Sequence, residues 1–375
     1  PLSCWQSGSG TQTNMNVNEV IANRACELAG QPRGSREVVH PNDHVNRSQS
    51  TNDVFPCAIH LAAERQQRQA LIPALKQLVE ALESKAAAWA DVVKIGRTHL
   101  QDAVPLTVGQ EVGGWAAQLR SAAERLEQGL LELRSIPLGG TAVGTGLGAP
   151  KGYPEAVCQQ LSACEGVEWR SDGNRFALMG SHDALVQQMA RLRLIAGALH
   201  KIVNDIRLLA CGPRAGLAEL HLPANEPGSS IMPGKVNPTQ CEAVAMATTQ
   251  VLGLDQAVAI AGSGGHLQMN VYKPLLGLNL LRSGDLLTDS CRSLEEHLVR
   301  GMELNHPKVE HFRDQSLMLV TALAPVIGYD VAAEIALHAH SEGLSLKEAA
   351  LALNAIEAEA FDQTVNPGLM AKPHD

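Results

Sequence analysis

The chain has 375 residues, of which 45% are hydrophobic and only 3% aromatic, and its formal net charge is −9. This length allows a large hydrophobic core in two or three domains. So few aromatic side chains argue against a stacking surface for single-stranded nucleic acid, and the negative charge argues against a broad basic face for phosphate backbones. A site for an anionic substrate must therefore concentrate cations and backbone N–H groups locally.

The cysteine pattern indicates a reducing compartment. The eight cysteines form no CxxC pair and lie singly in apolar stretches or loops, which is typical of reduced thiols. No stretch approaches the roughly 20 apolar residues of a membrane span, and no signal peptide is visible. We expect a cytoplasmic protein, or a mitochondrial matrix protein if it is eukaryotic, that binds neither membrane nor nucleic acid. Because the chain opens at Pro1 rather than at a methionine, we expect part of the natural N-terminus to be missing.

The first part of the chain changes from turns to helix. Residues 1–57 are punctuated by glycine and proline, which predicts turns and short helices. From about Ala58 the pattern predicts a long helix, because leucines recur every three or four residues at Leu71, Leu75, Leu78 and Leu82. Pro73 is expected to kink this helix or to begin a second segment. A second long helix is predicted over residues 107–134.

The rest of the chain is predicted to contain three more long helices. Residues 135–154 are rich in glycine, which predicts a break. A third long helix follows, and a fourth and a fifth begin near Pro238 and Pro274. Beyond about Asn305 the elements shorten, and no β-rich region stands out.

These elements predict an all-α protein. A central bundle of about five long helices occupies residues 50–304, between the remainder of an N-terminal domain in residues 1–49 and a small C-terminal helical domain in residues 305–375. The apolar positions are too numerous for one inward stripe, which predicts burial of the helices against other subunits. A thick monomeric bundle is the alternative.

Two polar segments near the N-terminus carry groups that suit a carboxylate. In residues 8–14, short donors beside glycine occur at Ser9, Gly10, Thr11 and Asn14. The second segment contains first His40, Pro41, Asn42 and Asp43, and then Ser50, Thr51 and Asn52 just ahead of a long helix. N–H groups at a helix start form a ready anion site. Ordinary turns and helix caps explain each of these residues equally well.

Two later segments contain groups for proton transfer. In residues 96–105, Thr98 and further polar residues surround His99, just before a helix, and a histidine is the usual proton carrier near neutral pH. Residues 228–238 form a loop rich in glycine and proline, with hydroxyls, one cation and one amide at Ser229, Ser230, Lys235 and Asn237. Glu242, in the first turns of the next helix, is placed to orient a histidine from another segment. A surface histidine and a flexible surface loop are the alternatives.

The sequence predicts neither a dinucleotide-binding site nor a metal site. The glycines of residues 144–149 resemble a dinucleotide fingerprint, but no strand precedes them and no βαβ pattern surrounds them. The sequence contains neither an HExxH motif nor a cluster of cysteine and histidine, so no metal site is predicted.

The four polar segments, in this order, resemble the fumarase/aspartase superfamily, and within it the class II fumarases. The stretch GSSIMPGKVNP is very close to the signature of the family, and GRTHLQDAVPLTVGQE has His99 where aspartate ammonia-lyases usually carry glutamine. The resemblance covers nearly the whole chain. In the family pattern, a further segment normally precedes the part that matches Pro1.

The resemblance implies a function and a role for each matching residue. It implies a fumarate hydratase of the tricarboxylic acid cycle that adds water to fumarate, reversibly and anti, to give L-malate through an aci-carboxylate carbanion, without a cofactor. It implies a homotetramer whose long helices form a shared core, with each active site built from three subunits. The implied catalytic residues are Ser229 as base and His99 paired with Glu242. The implied substrate-binding residues are Ser9, Gly10, Thr11, Asn14, Ser50, Thr51, Asn52, Thr98, Ser230, Lys235, Val236 and Asn237. A second anion site is implied at His40, Pro41, Asn42 and Asp43.

Two alternatives stay open at this point. An aspartate ammonia-lyase shares the fold and the aci-carboxylate chemistry. A non-catalytic structural relative, as lens crystallins are of argininosuccinate lyase, is the second alternative; the joint presence of Ser229, His99, Lys235 and Glu242 weighs against it.

Overall fold

A computed structural model describes residues 2–171 and 173–373, and helices dominate these ranges. The all-α prediction is confirmed. The helices are α1 (Thr11–Leu28), α2 (Thr51–Gln66), α3 (Ile72–Ala88), α4 (Val108–Leu133), α5 (Tyr153–Glu165), α6 (Arg175–Gly180), α7 (Asp183–Leu209), α8 (Thr239–Gly262), α9 (Lys273–Leu294), α10 (His306–Gln315), α11 (Ala324–Ile327), α12 (Tyr329–Glu342), α13 (Leu346–Ala352), α14 (Ala358–Thr364) and α15 (Pro367–Met370). The strands are β1 (Val93–Thr98), β2 (Gln101–Thr107), β3 (Leu220–His221) and β4 (Glu303–Leu304).

The five predicted long helices are present. Four of them are α4, α7, α8 and α9, which have 26, 27, 24 and 22 residues. The first of the five predicted long helices consists of α2 and α3, which are joined by the π-helical turn Gln67–Leu71. This turn ends just before Pro73, which has no N–H to donate to the preceding helical turn, and π-turns are a common way to absorb such a defect. Pro73 therefore marks a joint, as predicted.

Two predictions for residues 1–57 were wrong. This region contains the 18-residue helix α1, whose buried positions Asn18, Ala22 and Cys26 recur every four residues. Because one of them is polar, and Val17, Val20 and Ile21 of α1 are exposed, the apolar pattern is too weak to reveal the helix. The next helix begins at Thr51 rather than near Ala58, because a capping box at its start outweighs the helix-breaking effect of Pro56.

The small sheets were also not predicted. β1 pairs with β2 as an antiparallel hairpin, from Val93 opposite Thr107 to Thr98 opposite Gln101, and the register shifts between Ile95 and Arg97. β3 and β4 form a second pair of two residues each. These strands are short and one contains a proline, so they give no clear alternation of apolar and polar residues.

The described chain forms two compact units. Unit 1 comprises Pro1–Gln77, Leu119–Lys201 and Ala243–Arg292, and unit 2 comprises Leu78–Gln118, Ile202–Glu242 and Ser293–Asp375. One core cluster of unit 1 contains Cys57, Ile136, Leu138, Cys158 and Trp169. One of unit 2 packs the short C-terminal helices around Leu323, Ile335, Ala349 and Phe361. The shortening of the elements beyond Asn305 is confirmed, and the predicted domain boundaries stay predictions.

The cysteines and one apolar helix bear on the compartment. All eight cysteines are free, and Cys26, Cys57, Cys158, Cys241 and Cys291 are buried. Contrary to expectation, α8 is long and apolar enough to cross a membrane, with a mean hydropathy of 1.3. Threonine and glutamine interrupt its apolar run without adding charge, which hid the run in the sequence. The core helix of a soluble protein can be equally long and apolar, and 28% of the apolar 18-residue stretch of α8 is buried in this single chain.

Candidate active site

The first polar segment forms a turn at the start of α1 in unit 1. The Ser9 hydroxyl lies 2.8 Å from the Thr11 hydroxyl, and Ser9 is buried. Gly10 adopts a φ of 86°, and a Cβ at this position would lie 2.5 Å from Cδ1 of Phe55. Only glycine combines this φ with so close a neighbour. The structure therefore holds the two predicted hydroxyls together at one point.

Asn14 joins the first segment to the second. Its Nδ2 donates to Oγ1 of Thr51 at 2.9 Å and to Oδ1 of Asn46 at 3.0 Å. Asn18, one turn further along α1, donates to the same oxygen of Asn46 at 3.0 Å. The structure thus brings Asn14 and Thr51 together, as expected of one binding site. The sequence did not single out Asn46, because one asparagine in a polar stretch gives no signal.

Asp53 holds the second segment in place. The Ser50 hydroxyl accepts from the start of α2, and Asp53 completes the capping box by accepting from Ser50 N at 2.9 Å. The same carboxylate accepts from the N–H groups of Gly139 and Thr141, both at 3.0 Å. Burial raises the pKa of Asp53, and these hydrogen bonds oppose the rise. The sequence analysis missed Asp53, although the spacing of Ser50 and Asp53 is that of a capping box.

The loop at 139–142 also contacts the second segment directly. Nδ2 of Asn52 donates to the carbonyl of Ala142 at 2.8 Å. The glycine-rich stretch that resembled a dinucleotide fingerprint therefore begins just after a structural support of the Ser50–Asn52 segment.

In the predicted second anion site, the His40 side chain accepts hydrogen bonds from the N–H groups at the start of a short helical turn. Its Nδ1 accepts from the N–H groups of Asn42 at 3.2 Å and Asp43 at 3.1 Å. The same Nδ1 lies 3.3 Å from Oδ2 of Asp43. A cavity of about 130 Å³ opens beside Pro41. The role of this segment as an anion site stays a prediction.

His99 lies at the tip of the hairpin in unit 2, not in a loop directly before a helix, since α4 begins only at Val108. His99 and Leu100 form the turn with φ values of 56° and 60°. A two-residue turn of this hand favours asparagine and glycine, and strained conformations of other residues cluster at functional sites. Thr98 and His99 are exposed. The hairpin therefore presents the predicted imidazole to solvent on a defined support.

Buried ion pairs anchor this hairpin. Lys94 Nζ lies 2.8 Å from Glu111 and 2.7 Å from Glu219, and Arg97 lies 2.6 Å from the same Glu219 carboxylate. Lys94 and Glu219 are each only 2% exposed. Removal of one partner of such a network leaves an uncompensated buried charge, so the network fixes the position of β1.

Two glycines allow the loop at 228–238 to fold back on itself. Gly228 and Gly234 have φ values of 80° and 81°, and a Cβ at Gly228 would collide with the carbonyl of Lys235. Lys235 Nζ donates to Oδ1 of Asn237 at 2.5 Å. The Ser229 hydroxyl accepts from the N–H of Ile231 at 3.4 Å. The predicted cation and amide thus lie side by side, and Ser230, Lys235 and Val236 are exposed.

Glu242 lies in the first turn of α8, as predicted. Its Oε1 lies 3.9 Å from Nη2 of Arg207, and its side chain is about half exposed. Among the described residues, no hydrogen bond or ion pair joins Glu242 to His99. No group of three potential metal ligands occurs in residues 2–171 or 173–373.

The site residues therefore form two sets. Unit 1 contains Ser9, Gly10, Thr11, Asn14, Ser50, Thr51, Asn52 and the segment at 40–43, and unit 2 contains Thr98, His99, Ser229, Ser230, Lys235, Val236, Asn237 and Glu242. Besides Asn46 and Asp53, the sequence analysis missed two buried residues of unit 1, His182 and Lys273. A lone histidine and a lone lysine at helix starts gave no signal.

Known proteins resemble this chain along its full length. A family model described as "Lyase" matches residues 1–253, and one described as "Fumarase C C-terminus" matches residues 319–372. A "Fumarate hydratase class II" of Prochlorococcus marinus is 61% identical over 370 residues, which cover 99% of this chain and 79% of that protein. One from Chromobacterium violaceum is 56% identical, with 98% and 80% covered. A crystal structure of a class II fumarase from Schistosoma mansoni has a TM-score of 0.97 and 46% identity, and the match covers 100% of this chain and 81% of that one.

Proposed function

Because the chain belongs to the class II fumarase family, we propose that it catalyses the reversible anti addition of water to fumarate, which gives L-malate. The observation that carries this proposal is that relatives named class II fumarate hydratase match nearly the whole chain at more than half identity. The same relatives weigh against an aspartate ammonia-lyase.

Ser229 is proposed as the base that removes the C3 proton of malate. A proton beside a carboxylate is weakly acidic, since its removal puts a second negative charge on that carboxylate as an aci-carboxylate. Catalysis therefore needs donors aimed at this developing charge. The adjacent Lys235 ammonium and Asn237 amide are such donors. A serine is a poor base at its ordinary pKa, and Lys235 of the same loop is proposed to help activate it.

His99 is proposed to bind the water that is added or lost, and Glu242 to orient its imidazole. Both side chains are exposed in this chain, which is what a pair formed across subunits requires. The hydroxyls and amides of unit 1, at Ser9, Thr11, Asn14 and Thr51, are proposed to bind the substrate carboxylates, and His40–Asp43 a second anion.

We further propose a homotetramer in which each active site draws on three subunits. The apolar helix α8 supports this proposal, because Met246 is 69% exposed and Ile260 is 71% exposed in the single chain. Large exposed apolar patches mark interaction surfaces. Light scattering is expected to give four times the mass of one chain.

The activity is tested by following the ultraviolet absorbance of fumarate. We expect the absorbance to rise with L-malate and not with L-aspartate. A rise with L-aspartate alone identifies an ammonia-lyase. A stable tetramer without turnover of either substrate identifies a non-catalytic relative.

A further inference from the structure

Two polar side chains in unit 1 are buried without a hydrogen-bond partner. Lys273 is 0% exposed and His182 is 2% exposed. Neither the Lys273 ammonium nor either ring nitrogen of His182 has a partner among the described residues. His182 also has a φ of 101°, which is strained for a residue other than glycine. Such groups are costly, so their presence calls for a compensating role.

Lys273 lies directly behind the turn that carries Ser9 and Thr11. It is the first residue of α9, and its N–H donates to the carbonyl of Gly8 at 3.2 Å. A Cβ at Gly8 would collide with the carbonyl of Val271, so the two segments touch. The turn of residues 8–11 is therefore packed against the start of α9.

The Asp53 carboxylate explains why a cation is needed here. Asp53 is 0% exposed, and it follows Thr51 by two residues, on the helix whose start is proposed to bind a substrate carboxylate. Its hydrogen bonds with Ser50, Gly139 and Thr141 support that segment, so the charge cannot simply be dispensed with. A buried negative charge close to a site for a dianion disfavours binding of the dianion. The turn of residues 8–11 connects the two charges, since it contacts the start of α9 at Gly8 and lies against Phe55 of α2 at Gly10, and the charge of Asp53 acts to raise the pKa of Lys273.

We propose that Lys273 is an electrostatic positioning residue for the substrate: its ammonium offsets the buried charge of Asp53 behind the turn of Ser9 and Thr11, and thereby allows a dicarboxylate to bind there. The proposal rests on the proposed function. His182 is the neutral neighbour that permits a buried cation, since a second positive charge beside Lys273 is disfavoured.

The charge states of the neighbours agree with this role. Burial, followed by the charge of Lys273 and then that of His60, lowers the pKa of His182 to about 3, so its imidazole is neutral near pH 7. Burial lowers the pKa of Lys273 to about 8, and the charge of Asp53 opposes this shift. Lys273 is therefore cationic at neutral pH and loses its proton in mildly alkaline solution.

The test compares three enzymes: wild type, Lys273→Met, which removes the charge and keeps the length of the side chain, and Lys273→Arg, which stays charged at every accessible pH. We expect Lys273→Met to raise KM for fumarate about tenfold, with a smaller change in kcat. In the wild type, KM is expected to rise above about pH 8. In Lys273→Arg this rise is expected to disappear, with KM at pH 7 close to the wild-type value. The matched control is Lys76→Met, since Lys76 forms an ion pair with Glu127 and its side chain is 56% exposed.

If Lys273 only supported the fold, Lys273→Met would lower the melting temperature and leave KM unchanged. Lys273→Met relieves the desolvation cost of the ammonium but leaves the Asp53 charge uncompensated, so the melting temperature is expected to be maintained or moderately lowered. The proposal is supported by a raised KM in a Lys273→Met variant that folds, together with a KM of Lys273→Arg that does not rise above pH 8. It is overturned by an unchanged KM, or by wild-type and Lys273→Arg profiles of KM that rise equally above pH 8. If Lys273→Met does not fold, the pH profiles of KM for the wild type and Lys273→Arg decide the question. A wild type without hydratase activity overturns the proposed function instead.

Discussion

The two units differ in how they hold their site residues. In unit 1 the hydroxyls and amides are tied together: Ser9 to Thr11, Asn14 to Thr51, and Ser50 to Asp53. In unit 2 the corresponding residues lie on a hairpin tip and on a closed but exposed loop. Among the described residues of unit 2, one hydrogen bond joins two predicted site residues, from Lys235 to Asn237.

This difference indicates a division of labour. Groups that bind carboxylates work best when they are fixed before the substrate arrives, because preorganisation lowers the cost of binding. Groups that transfer protons must approach the substrate after it is bound, and loops that close over a substrate commonly supply them. Changes in unit 2 are therefore expected to lower kcat, and changes in unit 1 to raise KM.

The largest effect is expected for Ser229→Ala. Loss of the proposed base should lower kcat by roughly 10³-fold and leave KM within about threefold, because the binding groups of unit 1 are untouched. Ser341→Ala is the matched control, since Ser341 is exposed and only donates to its own helix at His338. Initial rates of malate dehydration measure both constants, and wild-type turnover in Ser229→Ala excludes Ser229 as the base.

A smaller loss is expected for His99→Gln, on the hairpin tip. Without the imidazole, hydration should slow by roughly 10²-fold, with KM again little changed. His340→Gln serves as the control because His340 is exposed in α12. If His99→Gln raises KM rather than lowering kcat, the division between the two units is wrong.

Gly10→Ala tests the fixed turn of unit 1. The new methyl group meets the Phe55 ring in a left-handed conformation, so we expect KM to rise several-fold and stability to fall by about 2 kcal/mol. Gly30→Ala has a similar φ of 70° but nothing within 4 Å, so it isolates the backbone penalty of about 1 kcal/mol. An equal KM in both variants would show that the turn does not need its exact shape.

The smallest effect concerns acid stability. Burial lowers the pKa of His60 to about 4, while its hydrogen bond with the Leu133 carbonyl opposes the shift. The folded state therefore keeps this imidazole neutral, whereas the unfolded chain takes up a proton below about pH 6.5. The contribution of the neutral His60 to stability is expected to be complete above that pH and to fall by about 1–2 kcal/mol by pH 5. Urea unfolding at several pH values measures this, and His60→Gln should have a shallower pH dependence.

The parts of the molecule that the sequence predicted are those with repeated or dense signals. Long helices such as α4 and α7 repeat their apolar residues over many turns, and the loop at 228–238 combines several reactive side chains in eleven positions. The hairpin was missed because a register shift and a proline interrupt its alternation. Asp53, His182 and Lys273 were missed because their environment is created by segments far apart in the chain. No local pattern around Lys273 indicates that it ends up behind Ser9.

The hydrogen bond from the Lys273 N–H to the Gly8 carbonyl also bears on biosynthesis. A contact between residues separated by most of the chain has a high contact order and forms late. During translation, the turn with Ser9 and Thr11 leaves the ribosome before α9 and stays without this contact until α9 has been made. A nascent chain released before that point is expected to keep local helices such as α1 but not the finished carboxylate receptor.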